Sequence, residues 1–147
     1  YLTKKGKFME VQVSGVGVLL ATLSSMVVGS IWYSKATFGK TWMKLVGLTD
    51  EKMKEGGWLP MVGAIVRALL TAYVLAHVIF LSHTCFNNSF LEDALMTGFW
   101  VYVGFVGSTM LMHDAFEQRR KKLSLINASH EFVTIMVMAL VIGLVGL

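Results

Sequence analysis

Apolar residues along the chain fall into four long stretches that are separated by short polar segments. A helix needs about 20 apolar residues to cross the hydrocarbon core of a bilayer, and each stretch reaches that length. The predicted spans cover residues 11–33, 58–82, 93–113 and 124–147. Most charged residues lie between the stretches, whereas a soluble helical domain carries charge along one face of every helix. The pattern predicts an all-α membrane protein, a single domain built as a bundle of four transmembrane helices.

The first connection, residues 34–57, is the longest and the most basic. It holds five lysines, and apolar residues such as Phe38 and Trp42 alternate with them at helical spacing. This alternation predicts a short amphipathic helix that lies in the headgroup region between spans one and two. Thr49 is followed by two acidic residues, which predicts an N-cap and one or two further helical turns.

The distribution of Lys and Arg predicts the orientation of the bundle. The second connection, residues 83–92, has neither residue type, whereas the third, residues 114–123, holds four. Cytoplasmic loops carry an excess of Lys and Arg, so we expect the first and third connections in the cytoplasm and both termini outside. Lys4, Lys5 and Lys7 near the N-terminus weaken this contrast. The first apolar stretch is too long for a signal-peptide core and is interpreted as a retained span.

The composition narrows the class of protein and its partners. Apolar residues make up 55% of the 147 residues and charged residues 15%, against roughly 45–50% and 25% in an average soluble domain. The net charge of +4 comes from basic residues that flank apolar spans. We therefore expect membrane lipids as partners, and no nucleic acid. Cys85 is the single cysteine, which excludes an intrachain disulfide and a cysteine-based metal motif.

Two spans carry a small residue at every fourth position, and such residues share one face of a helix. In lipid, small side chains let two helix backbones approach closely. Both rows are therefore predicted to pack against another helix, in the same chain or in a second subunit. The first small-residue ridge comprises Gly17, Ala21, Ser25 and Gly29, and the second comprises Ala64, Ala68, Ala72 and Ala76.

Two charged residues, Arg67 and Glu131, lie inside predicted spans two and four. Their predicted depths differ by roughly 3 Å at 1.5 Å per residue. An unpaired charge at this depth costs at least about 2.5–3.5 kcal/mol on insertion scales, which favours a structural ion pair. Asn127 and His130 are the expected supplementary hydrogen-bond partners. The alternative is a proton or ion path that also uses His77 and His130, or an anion site at Arg67.

The sequence shows no pattern typical of catalysis or of metal binding. Its four histidines share no i, i+4 pair and no His-x-x-x-His spacing. Neither a nucleophile elbow nor a glycine-rich phosphate loop is present. We therefore expect no cofactor, no metal and no enzymatic activity.

Aromatic and basic residues gather around the first connection, where Trp, Tyr and Lys commonly anchor a helix at the membrane interface. The predicted interfacial anchor comprises Trp32, Tyr33, Phe38, Lys40, Trp42 and Trp58.

The same region carries the motifs of a family resemblance. The run from Ile31 to Thr49 contains Trp-Tyr-Ser, Phe-Gly-Lys-Thr-Trp and Gly-Leu-Thr, and the run from Phe116 to Ala128 contains Leu-Ser-Leu-Ile-Asn-Ala. Together they resemble the small bacterial membrane proteins catalogued as domain of unknown function 1761. The resemblance covers about Met9 to the C-terminus. It implies a four-span membrane protein in a bacterial inner membrane, and it implies no particular activity.

Three functions remain open from the sequence, of which a membrane enzyme acting on lipid has the least support. The ridges and the small polar loops favour a non-catalytic protein that acts through helix–helix assembly, as a homo-oligomer or as an accessory subunit of a larger membrane complex. The alternative is a small transporter or channel that uses Arg67, His77, His130 and Glu131. A cavity that reaches Arg67 and Glu131 would favour the second function, and sealed side-chain packing would favour the first.

Overall fold

The computed structural model describes residues 11–146, so Lys4, Lys5 and Lys7 lie outside the described residues. It is 82% helix, and no strand occurs in the part of the chain that it describes. Four helices are long and apolar enough to cross a membrane: Gly15–Trp32, Leu59–Phe86, Phe90–Phe116 and Lys121–Val145. We refer to them as the first to fourth spans. The predicted four-span fold is confirmed.

Two short helices, Gly39–Val46 and Asp50–Glu55, form most of the first connection. The first of them confirms the short helix predicted between spans one and two. The second begins after Thr49, whose hydroxyl accepts a hydrogen bond from the Lys52 backbone N–H at 3.3 Å. Thr49 therefore caps this helix, because its side chain satisfies a backbone donor that the helix itself leaves unpaired.

The capping residues place several span ends differently from the sequence prediction. The second span continues to Phe86 instead of residue 82, and it ends where Asn87 adopts a left-handed conformation with φ 55°. The third span begins at Phe90 instead of residue 93, because Ser89 and Glu92 form a reciprocal capping box. Hydropathy alone misplaces these ends, since polar residues continue each helix beyond its apolar stretch.

The other ends also shift by a few residues. The first span starts at Gly15 instead of residue 11, after Ser14 accepts a hydrogen bond from the Gly17 N–H at 3.3 Å. The third span runs to Phe116 instead of residue 113. The fourth span starts at Lys121 and ends at Val145, instead of covering residues 124–147.

The four spans form a ring in which each packs beside its neighbours in sequence, and the first span also packs against the fourth. Because consecutive spans run in opposite directions, the first and third connections lie at one end of the bundle. We call this the basic end, since it holds nine of the Lys and Arg side chains. The opposite end holds residues 87–89 and the start of the first span.

The tightest packing lies in the half of the bundle near the opposite end. A Cβ atom added to Gly98 would lie 2.7 Å from the Cβ of Ala139, and one added to Gly143 would lie 2.9 Å from the Cβ of Ala94. The third and fourth spans therefore touch almost backbone to backbone. Close contact of this kind stabilises helices in lipid, where hydrophobic burial contributes little. The buried core is completed by Val18, Ala21, Ala72, Leu75, Ala76, Ile79 and Ile142.

The first small-residue ridge faces the fourth span. Gly17, Ala21 and Ser25 are buried, and Gly29 is partly buried. A Cβ atom on Gly17 would lie 3.6 Å from Val145, and one on Gly29 would lie 3.5 Å from His130. Both ends of the ridge thus contact the same neighbouring helix.

The second small-residue ridge is packed along only part of its length. Ala68, Ala72 and Ala76 are buried, whereas Ala64 is exposed. Packing within the chain is therefore observed for Ala68, Ala72 and Ala76, and contact of Ala64 with a second subunit stays a prediction. Ala64 lies near the basic end of the second span, in a run from residue 59 to 67 in which every residue is exposed.

Candidate functional site

The centre of the candidate site is an ion pair between the second and fourth spans. The Arg67 guanidinium donates a hydrogen bond from Nη2 to Oε2 of Glu131. Arg67 lies eight residues after Leu59 and Glu131 ten residues after Lys121, which corresponds to a depth difference of about 3 Å. The two side chains are unequally covered, since that of Arg67 is 54% exposed and that of Glu131 is 16% exposed.

His130 contacts the same carboxylate from its other side. Its Nδ1 lies 3.6 Å from Oε1 of Glu131. Its Nε2 lies 3.4 Å from the hydroxyl of Thr134. The imidazole centroid is 4.8 Å from the ring of Tyr33 and 6.1 Å from that of Trp32. Glu131 is therefore held between a cation on the second span and an imidazole on its own helix.

Trp32 and Tyr33 join the end of the first span to the fourth span. The indole N–H of Trp32 donates to the backbone carbonyl of Ile126 at 3.2 Å. The Tyr33 hydroxyl donates to Oδ1 of Asn127 at 3.1 Å. Asn127 was expected to support the Arg67–Glu131 pair, and it bonds to Tyr33 instead. The correction follows from the helix geometry, because Asn127 lies one turn closer to the basic end than Glu131 and therefore level with Tyr33.

The rest of the predicted interfacial anchor divides into two groups. Phe38 and Trp42 pack on Trp32 and Tyr33. The ring centroid of Phe38 lies 4.9 Å from that of Trp32, and the centroid of Trp42 lies 5.2 Å from that of Tyr33. Lys40 and Trp58 are exposed, as expected of side chains at an interface. Trp32 and Tyr33 thus make interhelical contacts that the anchor interpretation did not include.

The Phe-Gly-Lys motif forms the corner between the first span and the helix that follows it. The backbone N–H of Gly39 donates to the carbonyl of Ser34 at 2.9 Å. A Cβ atom at position 39 would lie 2.2 Å from the carbonyl oxygen of Tyr33. Only glycine fits this close approach of two backbone segments, which explains the motif and positions Tyr33 for its contact with Asn127.

A cavity of about 380 Å³ adjoins the ion pair. It lies between the first, second and fourth spans and includes Tyr33, Arg67, His130 and Glu131 in its lining. Its deepest lining residues are Ser25, Thr71 and Met138. Beyond them the spans close on Ala21 and Ala72, both fully buried. The cavity therefore ends blindly inside the bundle, although its volume falls in the range of small-molecule sites.

His77 does not belong to this cluster, and its role in a transport path stays a prediction. Its Nδ1 lies 2.8 Å from the carbonyl oxygen of Tyr73, and the two ring centroids are 4.2 Å apart with the ring planes tilted by 53°. It lies ten residues beyond Arg67, or about 15 Å along the helix. The lining of the 380 Å³ cavity does not include it. Its place in the outer half of the second span agrees with its position in the sequence.

Two polar contacts at the bundle ends were not predicted. Asp93, only 3% exposed, accepts a hydrogen bond from the Asn88 amide at 3.0 Å and lies 2.9 Å from Nδ1 of His83. At the basic end, buried Asp114 pairs with Arg119 at 3.0 Å. In both cases the sequence shows an acidic residue near a helix end and, in the adjoining connection, a side chain that could pair with it.

The residues brought together can stabilise charge but do not resemble known catalytic arrangements. Within residues 11–146, no group of three or more His, Cys, Asp or Glu side chains could hold a metal ion. In the same part of the chain, every buried side-chain nitrogen or oxygen has a hydrogen-bond partner. The buried polar atoms of the cluster are therefore satisfied within the chain, whereas the half-exposed Arg67 guanidinium is only partly covered.

Comparison with known proteins identifies the family. Neither a curated protein nor a solved structure matches the chain. One protein family matches residues 16–143, a range that includes all of the ion pair, the aromatic contacts and most of each span. The chain belongs to the family described as Protein of unknown function (DUF1761).

Proposed function

We propose that this protein is a non-catalytic integral membrane protein that acts by assembling with other membrane helices. It does so as a homo-oligomer or as an accessory subunit of a larger membrane complex. The observation that supports this most directly is Arg67, a charged residue on a membrane-spanning helix whose side chain is 54% exposed. A cation inside a bilayer is costly unless protein, water or headgroups surround it, so a second helix that covers this face would stabilise it.

The surroundings of Arg67 suit contact with another helix. All residues from 59 to 67 are exposed, including the small residues Gly63 and Ala64. A Cβ atom added to Gly63 would meet no atom within 4 Å. Small residues on an uncovered helix surface permit the close backbone approach that drives association in lipid.

Cysteine crosslinking in native membranes tests the assembly. In a Cys85→Ser background, Met61→Cys places a thiol on the uncovered half of the second span, where Met61 is 62% exposed. Met112→Cys is the matched control, because Met112 is 51% exposed near the same end of the third span. We expect a short bifunctional thiol reagent to link Met61→Cys into a species of twice the mass, or to another chain, and Met112→Cys to remain monomeric. Equal crosslinking of the two variants, with a monomeric mass in lipid nanodiscs, would overturn the proposal.

The cavity beside Arg67 and Glu131 favours a second candidate, a small transporter or channel. Such a protein needs water to reach both sides of the ion pair in turn. In the same background, Thr71→Cys at the inner end of the cavity would then react with a membrane-impermeant thiol reagent added from either side. Reaction from the basic end alone, or none, favours assembly, because the spans close beyond Thr71.

We further infer that the basic end faces the cytoplasm of a bacterial cell, with both termini outside. The inference rests on the nine Lys and Arg side chains at this end. Alkaline phosphatase, which is active only outside the cytoplasm, should be active when fused after Asn88 and inactive when fused after Gln118. The reverse pattern would invert the topology.

A further inference from the structure

A second opening in the bundle lies between the third and fourth spans. The two helices separate toward the basic end and leave a groove of about 1020 Å³. Its walls are mostly apolar and include Val103, Met110, Leu111 and Leu125. Its inner end is closed by the Tyr102 hydroxyl, which donates to the backbone carbonyl of Ala128 at 3.0 Å. The groove shares no lining residue with the cavity beside Arg67.

The groove begins where the third span changes its helical form. Residues Tyr102–Gly107 form a π-helical segment, and the α-helix resumes at Ser108. On one side of this segment Gly98 packs tightly against Ala139, and on the other side the two spans diverge. A π-helical segment inside an α-helix changes the direction in which later side chains point, and such segments are frequent at functional sites.

The length of the groove matches one leaflet of a bilayer. From Tyr102 to Ala115 the third span advances by about 20 Å, at 1.5 Å per residue. One half of the hydrocarbon core is about 15 Å thick. Leu111 and Leu125 line the groove and are 74% and 67% exposed, so the groove opens sideways to the surroundings of the bundle. These dimensions suit an acyl chain of a lipid.

The mouth of the groove is positively charged. Arg119 and Lys121 line it, and Arg120 and Lys122 lie beside them in sequence. Two carboxylates, those of Asp114 and Glu117, pair with Arg119 alone. The four cationic side chains therefore outweigh the two acidic ones at the level of the headgroups.

We propose that the groove binds one phospholipid with an anionic headgroup. Its acyl chains lie between the third and fourth spans, and its phosphate contacts Lys121, which lines the groove. The apolar walls, the one-leaflet length and the basic mouth together match this ligand better than a second protein helix. Five of the fourteen lining residues are Gly, Ala or Ser, so a helix of a second copy is the competing occupant, which the groove-filling variant below distinguishes from a lipid.

Native mass spectrometry of the full chain in detergent tests the headgroup contact. The protein is titrated with phosphatidylglycerol and, separately, with phosphatidylcholine. We expect the first phosphatidylglycerol to bind several-fold more tightly than phosphatidylcholine. Lys121→Ala should weaken phosphatidylglycerol binding about fivefold, the effect of one cation near an anionic lipid, and leave phosphatidylcholine binding unchanged. The matched control is Lys40→Ala, which removes an exposed lysine at the same end of the bundle outside the groove. Equal losses in the two variants, or no preference for the anionic lipid, would overturn the proposal.

Filling the groove tests the acyl-chain contact. Ser108→Phe places a large ring in the lining, whereas Thr109→Phe places the same ring on an exposed position outside it. Both wild-type hydroxyls donate to the carbonyl four residues earlier, so the two substitutions remove equivalent hydrogen bonds. We expect Ser108→Phe to abolish tight binding of the first phosphatidylglycerol and Thr109→Phe to retain it. A dimer that Ser108→Phe dissociates would instead identify a second copy as the occupant and refute the lipid site, and unchanged lipid binding would refute it as well.

Discussion

The two halves of the bundle are held together by different means. Near the opposite end, the spans touch through small residues, and Ala94, Ala139 and Ile142 are almost completely buried. Near the basic end, the spans separate around the 380 Å³ cavity and the 1020 Å³ groove. Polar contacts then connect them, among them Arg67 with Glu131 and Tyr33 with Asn127. The comparison thus separates a tightly packed half from a half that the cavity and the groove leave open.

The largest expected effect comes from enlarging a residue of the second small-residue ridge in the packed half. The same enlargement in the open half is the comparison. Ala72→Leu adds three carbons at a position with no exposed surface, and we expect a loss of about 1–3 kcal/mol in the free energy of unfolding. Ala64→Leu adds the same atoms at an exposed position and should change it by less than about 0.5 kcal/mol. Thermal or dodecyl sulfate unfolding in mild detergent, followed by circular dichroism, measures both. Similar losses in the two variants would show that the halves are equally packed.

The next effect concerns the ion pair that bridges the open half. A double-mutant cycle with Arg67→Met and Glu131→Gln should give a coupling free energy of about 0.5–1 kcal/mol, with the double variant less destabilised than the sum of the single variants. The value is modest because the Arg67 side chain is half-exposed.

A second cycle, on Lys35→Met and Asp50→Asn, supplies the control for the ion pair. Both side chains of that pair are at least 60% exposed, so we expect coupling near zero. A coupling free energy between Arg67 and Glu131 that is no larger than in the control cycle would show that the ion pair does not hold the two spans together.

An effect of similar size is expected from the contact between the first and fourth spans. Tyr33→Phe removes the hydroxyl that donates to Asn127 and should cost about 0.5–1.5 kcal/mol of unfolding free energy. Tyr73→Phe is the comparison, since Tyr73 is 53% exposed on the second span. Unfolding in detergent distinguishes the two. If Asn127→Ala and Tyr33→Phe each destabilise the protein but the double variant shows fully additive losses, the hydrogen bond is not what joins these spans.

The parts of the fold that depend on local composition could be predicted, and the parts that depend on packing could not. The length of each apolar stretch gave the four spans, and equal depth suggested that Arg67 and Glu131 could meet. The same reasoning offered Asn127 as a partner of the ion pair, because Asn127 and Glu131 lie four residues apart on one face of the helix. The turn of depth between them brings Asn127 level with Tyr33 instead. Sequence reasoning also did not show which part of the second small-residue ridge packs within the chain, because the exposure of residues 59–67 has no local signal.

The openings of the bundle were also outside the reach of sequence reasoning. The groove depends on the π-helical segment Tyr102–Gly107, whose residues read as an ordinary apolar stretch. The cavity depends on the angle at which the second span leaves its neighbours. By contrast, Gly39 is part of a motif visible in the sequence, but the need for glycine follows only from the structure, in which an added Cβ atom would lie 2.2 Å from the Tyr33 carbonyl oxygen.

The separation of Arg67 and Glu131 by 64 positions in the chain has a consequence for biosynthesis. At about 5–20 residues per second, the ribosome makes Glu131 roughly 3 to 13 s after Arg67. During that interval the second span is inserted before the Glu131 carboxylate has been synthesised. The long arginine side chain can extend to the nearby headgroups and keep its charge in water meanwhile. The arrival of the fourth span then supplies the Glu131 carboxylate, so the ion pair can form only after this span has been synthesised.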